Sequence, residues 1–169
     1  MKLTKLFSIL VIALVTLSCS SSDDSSDTYN YNKDNLTGTY SLFAFKSKKV
    51  KTVDVDGFNV TTTTVSTGDT FNVTYKFDSN DILTMDGTYR VAEVKTQGGD
   101  SSQDAYIVVL NNETESYLVN ASTFELTLAD KTYRVSDFSR TGFKINYEKT
   151  TVEDNGDNTV FTEEWVFKK

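Results

Sequence analysis

The stretch Phe71–Val91 reads FNVTYKFDSNDILTMDGTYRV. Phe71, Val73, Tyr75 and Phe77 occupy alternate positions, and Asn72, Thr74, Lys76 and Asp78 fill those between. A two-residue period of this kind is the mark of a strand with one face in a core and the other in water. Asp78–Asp81, DSND, then brings together residues that tolerate tight-turn backbone, and a second alternating run follows it. Strand, turn and strand in immediate succession predict an antiparallel hairpin.

The same grammar extends in both directions. Leu126 and Leu128 alternate with Glu125 and Thr127, with Phe124 counted on the apolar side, and Phe143, Ile145 and Tyr147 alternate with Lys144, Asn146 and Glu148. Near the end, Phe161, Trp165 and Phe167 share a face, and Glu163 interrupts it. Tyr106–Leu110, YIVVL, is apolar at every position and predicts a strand covered on both sides. Asn, Asp and Gly clusters predict turns at 55–57, 67–69, 78–81, 85–87, 110–113, 128–131 and 154–158. Lys95–Asp104 is the longest polar interruption and reads as a loop. Long helical periodicity is missing. The chain therefore predicts an all-β domain, an antiparallel up-and-down meander of eight to ten short strands. Closure into a barrel would remove its unpaired edges. A faint repeat supports paired hairpins: Thr88-Tyr-Arg-Val91 recurs as Thr132-Tyr-Arg-Val135, 44 residues later. In each copy Tyr and Val share one face, and Thr and Arg share the other.

Composition removes several function classes. The chain has no histidine, one cysteine and a net charge of −7. Without His or a spare Cys, the ordinary zinc sites and the His-dependent nucleophilic triads are ruled out. An acidic surface with no basic stripe repels nucleic acid, so no nucleic-acid partner is expected. VDVDG (53–57) and DNGDN (154–158) look like fragments of calcium loops. They lack the further oxygen ligands and flanking helices such loops need, and hairpin turns account for them. No metal or cofactor is expected.

The N-terminus concerns location. Lys2 and Lys5 precede the apolar run Leu6–Leu17, and small Ser18 precedes Cys19. This is the plan of a secretory signal over 1–18, too short for a helix that needs about 20 residues to span a bilayer. Thr16-Leu17-Ser18-Cys19 resembles the lipobox of bacterial lipoprotein precursors, with Thr16 where Leu is usual. The resemblance implies that Cys19 is lipidated and becomes the first residue of the mature chain. Residues 19–34 then read as a flexible tether. Ser20–Asp27, SSSDDSSD, is too polar to form a core and resembles the export signal of surface lipoproteins of Bacteroidetes. That likeness implies an outer-membrane lipoprotein, at the cell surface more than on the periplasmic side.

The folded part, expected over 35–169, also resembles a family. Leu36, Gly38 and Tyr40 look like the Gly-x-Trp opening of lipocalins, with Tyr for Trp. The stretches from Phe71 and from Ser122 are similar to the small lipocalin-like domains found as lipoproteins in Bacteroidetes. The last strand departs from the family in having no Arg placed to pack across that aromatic; Lys168 and Lys169 are the nearest basic residues. The resemblance implies an eight-stranded barrel that is either filled by side chains or holds one small ligand. Its candidate ligand-facing residues are Tyr75, Phe77, Tyr89, Phe124, Tyr133, Ile145, Tyr147 and Trp165. Each of these also reads as core packing. Three readings stay open. One is a module binding a small apolar or amphipathic molecule. Another is a filled barrel that meets a partner through its loops or outer surface. The third is an enzyme using carboxylates, Tyr, Ser or Lys. Glu163 and Glu164 cannot act as a catalytic pair, because neighbours in a strand face opposite ways.

Overall fold

The computed structural model describes residues 29–169. The signal segment, Cys19 and the Ser/Asp run lie outside the described residues. One helical turn, α1 (Lys33–Leu36), is capped by the Asn32 side chain, which accepts from the Asn35 amide at 2.8 Å. Eight strands follow: β1 (Gly38–Val55), β2 (Phe58–Phe77), β3 (Ile82–Gln97), β4 (Asp100–Asn120), β5 (Glu125–Leu128), β6 (Lys131–Ser139), β7 (Gly142–Val152) and β8 (Asn158–Lys168). Each pairs antiparallel with the next, and β8 returns to β1 from Ser41↔Lys168 to Thr52↔Asn158, closing a barrel in chain order.

Four of the predicted turns are hairpin turns. Asp56-Gly57 takes positive φ at both residues, the conformation that matches strand twist, and the Asp54 carboxylate accepts from the Gly57 amide at 2.9 Å. At 78–81 the Asp78 carboxylate accepts from the amides of Asn80 and Ile82. These bonds hold its carboxyl below the usual carboxylate range. The turns at 128–131 and 154–158 also separate strands. The other three predicted turns are bulges inside strands. The β2–β3 register shifts between Asp69 and Asn72, and the β3–β4 register shifts between Met85 and Gly87, opposite Asn111 and Asn112. Thr70 and Asn112 sit at φ 53° and 50°. A bulge needs the same residue types as a turn, and only strand pairing tells the two apart. Gly87, at φ 116°, has its backbone so close to β2 that a Cβ would lie 2.1 Å from the Asn72 carbonyl oxygen.

The loop expected over 95–104 is instead a hairpin with a two-glycine turn, Gly98-Gly99, and both flanks are strand. Polar residues dominate there because that hairpin projects into water on both faces. For the same reason YIVVL is not doubly covered: Tyr106, Ile107 and Val109 are 49%, 59% and 52% exposed. Packing also begins earlier in the chain than the expected start at residue 35. Tyr31 is buried, donates its hydroxyl to the Glu125 carbonyl at 2.9 Å, and stacks on Phe124 at 6.0 Å. Tyr29 stacks on Phe138 at 5.3 Å.

The interior is filled at one end. Tyr40, Phe77, Phe143 and Phe167 are almost wholly buried. Phe143 meets Phe167 at 4.9 Å and Tyr40 edge-on at 5.0 Å, and Phe77 meets Tyr117 at 5.2 Å. Burying such a side chain stabilises the fold by about 2 kcal/mol, and edge-to-face geometry adds to that. Leu36 of α1 and Tyr31 close this end from below. The Lys169 ammonium lies 5.0 Å over the Tyr40 ring, so a basic residue does pack across that aromatic.

The wall is uneven. β1 to β4 run 16 to 21 residues, whereas β5 has 4 and β6 has 9. β4 meets β5 only at Tyr117–Asn120, and β6 meets β7 no higher than Arg134↔Asn146. The ring is complete at the filled end. Towards the other end it becomes an open six-stranded sheet, β7-β8-β1-β2-β3-β4, above a low β5–β6 hairpin.

Candidate functional site

Inward alternation continues above the aromatic plug, and its chemistry changes there. Tyr75 on β2, Met85 on β3, Ile145 on β7 and Phe167 on β8 form the floor of a cavity of about 270 Å³. Phe45 and Trp165, 4.9 Å apart and edge-to-face, stand on one side. The β5–β6 turn, Leu128–Lys131, is the low rim. The opening exists because β5 and β6 are too short to raise the wall here.

The polar centre is Glu163. It interrupts the apolar face of β8 and is 7% exposed. Its carboxylate accepts from the Tyr133 hydroxyl at 2.9 Å, the Trp165 indole N–H at 2.5 Å and the Lys131 ammonium at 3.3 Å. Trp165 reaches it because residues two apart in a strand share a face. A buried carboxylate is tolerable only with such partners. Among the described residues every buried side-chain nitrogen and oxygen has a hydrogen-bond partner. The Lys131 ammonium also lies 5.4 Å over the Tyr147 ring and 5.5 Å over Phe161, at the border between cavity and water.

The tyrosines here are neutral phenols. Burial, followed by the nearby Glu163 carboxylate, pushes Tyr133 well above its ordinary value. Burial does the same to Tyr75, and it raises Tyr89 to about 12. The cluster can donate hydrogen bonds, present ring faces and offer one carboxylate that already holds three donors. Among the described residues no three His, Cys, Asp or Glu side chains converge as metal ligands would.

Of the residues singled out from sequence, Tyr75, Tyr133, Ile145 and Trp165 meet in this cavity. Phe77 lies below it in the plug. Tyr89 is buried beside it, against Phe45, Phe71 and Trp165. Tyr147 is half-buried, packs on Tyr133 at 5.6 Å, and borders a different concavity. Phe124 is a correction: it is 52% exposed at the filled end, outside the barrel. Its φ of 55° reverses the alternation just before β5 begins, so it points away from Leu126 and Leu128. Phe45, Met85, Glu115, Lys131 and Glu163 went unselected. Glu163 had a signal, the lone acid in an otherwise apolar inward row. Lys131 had none, being a turn-flanking lysine like many others.

A larger concavity, about 640 Å³, lies on the outer face. It is crossed by the ladder Glu125–Arg134–Asn146–Glu164–Lys46. Glu164 thus faces out while Glu163 faces in, as strand geometry requires. The row is polar and of mixed charge, which is the character of a solvated sheet face. The chain matches no family model, no curated protein and no solved structure.

Proposed function

We propose that the protein is an outer-membrane lipoprotein, anchored through Cys19, whose lipocalin-like barrel binds one small amphipathic molecule without catalysing a reaction. The observation that carries this reading is the inner cavity: an aromatic and aliphatic floor under a single buried polar centre, Glu163 with Tyr133, Trp165 and Lys131. Ligand sites combine apolar walls with a few convergent polar groups in this way. At about 270 Å³ the space suits a molecule of one or two rings, and the plug below rules out a long acyl chain entering end-on. The binding reading is also supported against the enzyme reading. The phenols are held protonated and the Glu163 carboxylate is engaged by three donors, so the polar centre itself is arranged to hold a ligand more than to take up a proton.

The leader residues and Thr16–Cys19 support the anchor, and two acyl chains suffice for stable attachment. Tyr29, ten residues after Cys19, packs at the filled end. An anchor on Cys19 would therefore join the barrel at its closed end.

Trp165 is the only tryptophan in the chain and lines the cavity, so occupancy is readable directly. Titrating the full chain with anilinonaphthalene sulfonate and a panel of small aromatic amines and alcohols should shift Trp165 emission saturably. Tyr75→Ala should weaken that binding about tenfold. Absence of any saturable shift across the panel, with no small molecule extracted from the purified protein, refutes the binding reading. Fatty-acid labelling of expressed protein should disappear in Cys19→Ala, and labelling that persists refutes the anchor.

A further inference from the structure

The bare edge of β4 carries an inference beyond ligand binding. β3 pairs with β4 along its whole upper length, from Gln97↔Asp100 to Ile82↔Ser116. On the other side β5 reaches only Tyr117–Asn120, and among the described residues no strand lies beside β4 from Asp100 to Glu115. Alternate backbone N–H and C=O groups on that edge are open to another strand. Proteins blunt such edges with Lys, Pro or charge. β4 has no Lys, Arg or Pro, and Ala105–Asn112 carries no charge at all in a chain of net charge −7. The comparable free edge of β7, above Asn146, is blunted by Glu148 and Lys149. The open part of β4 instead presents Tyr-Ile-Val-Val-Leu, the residues that pair best in sheets.

We propose that two copies of the chain join at this edge, β4 pairing antiparallel with β4 of the second copy about a two-fold axis at Val108. Antiparallel pairing of a strand with itself is self-complementary, so a second copy supplies the whole partner surface. This register sets Val108 against Val108, Ile107 against Val109 and Tyr106 against Leu110. Registers that keep both inner faces on one side move the axis by whole residues. One step puts Tyr106 opposite Asn112 or Asp104 opposite Leu110, so the apolar run selects the register. Ile107 and Val109, more than half exposed in one copy, become neighbours on the outer face. The bulge at Asn111–Asn112, where the Asn112 amide donates to the Asp86 carboxylate at 3.2 Å, bends the strand. Pairing therefore ends near Asn112, before Glu113 of one copy reaches Gln103 of the other, beside Asp104.

The test is sedimentation equilibrium of the full chain in density-matched detergent. A monomer–dimer equilibrium is expected. The double variant Ile107→Lys, Val109→Lys sets like charges directly opposite at two places and should raise the dimer dissociation constant by about tenfold or more. Both side chains point outward from the barrel, so the melting transition should stay intact. Hydrogen exchange on the unmodified protein gives a second reading, independent of how the variant folds. Alternate amides of Tyr106–Leu110 should gain protection as concentration passes through the dissociation constant. A monomer at all concentrations overturns the proposal. So does a dimer without that protection, or one whose affinity a folded double variant leaves unchanged. A ladder of ever larger assemblies also overturns it, since that outcome assigns the edge to β7 of the next copy.

Discussion

The filled end and the open end of this barrel are built from the same eight strands and differ in almost every physical respect. At the filled end the ring is complete, the inward residues are Tyr40, Phe77, Phe143 and Phe167, and α1 with Tyr31 seals the base. At the open end the inward positions carry Glu163, Lys131 and Glu115, two strands stop short, and β4 and β7 show bare edges. The filled end concentrates apolar burial and so supports the fold. That support lets the other end keep a buried carboxylate, an opening and an unblunted edge, each of which costs stability on its own.

Several experiments sharpen or break this division. The largest effect should come from alkaline pH. Tyr31, Tyr40, Tyr75, Tyr89 and Tyr133 all have phenols raised by burial, Tyr89 to about 12. Above pH 10, the ordinary tyrosine value, the unfolded chain loses these protons while the folded chain keeps them. Stability is therefore complete below that pH and falls above it, by about 1.4 kcal/mol per pH unit for each such phenol. With total stabilities of about 5–15 kcal/mol, one cooperative unfolding step is expected near pH 11–12. Far-UV dichroism and tyrosinate absorbance should change together. Independent titration of these phenols with the fold intact contradicts their burial.

Phe143→Ala opens a cavity in the plug and should cost about 3–5 kcal/mol in urea unfolding. A small loss would mean that the filled end does not carry the fold. Gly87→Ala places a Cβ against the Asn72 carbonyl at a backbone angle suited to glycine, and should cost about 1–3 kcal/mol, read the same way. Glu163→Leu leaves the Tyr133 hydroxyl and the Trp165 indole without their acceptor, at a cost of about 1–3 kcal/mol. Its distinguishing readout is a shift in Trp165 emission, which Phe143→Ala should not reproduce. The smallest effect belongs to Arg90→Ala. It breaks an exposed ion pair to Asp69 on the outer face and should leave the urea midpoint unchanged within error.

Much of this could be read from the residues because strand faces obey a local rule. The two Tyr-Arg-Val copies behave as alternation demands: Tyr89, Val91, Tyr133 and Val135 are buried, and Arg90 and Arg134 are outside. Glu163 and Glu164 separate for the same reason. The rule fails where one residue adopts left-handed backbone, and Phe124 is the case in point. It is also silent about length. Nothing in GTYRV or KTYRV says that one belongs to a strand of 16 residues and the other to a strand of 9.

The amino-acid sequence by itself determined the class of fold, the inward rows of β2, β3, β6, β7 and β8, and four of the turns. Each of these follows from neighbours along the chain, through two-residue alternation and the backbone tolerance of Asp, Asn and Gly. Tertiary structure decided which Asp, Asn and Gly positions became bulges, how high each wall stands, that Lys131 reaches Glu163, and that YIVVL lies on a bare edge. Those outcomes depend on what lies across the barrel from each residue. Hydrogen bonding between strands far apart in sequence, and not local preference, sets that.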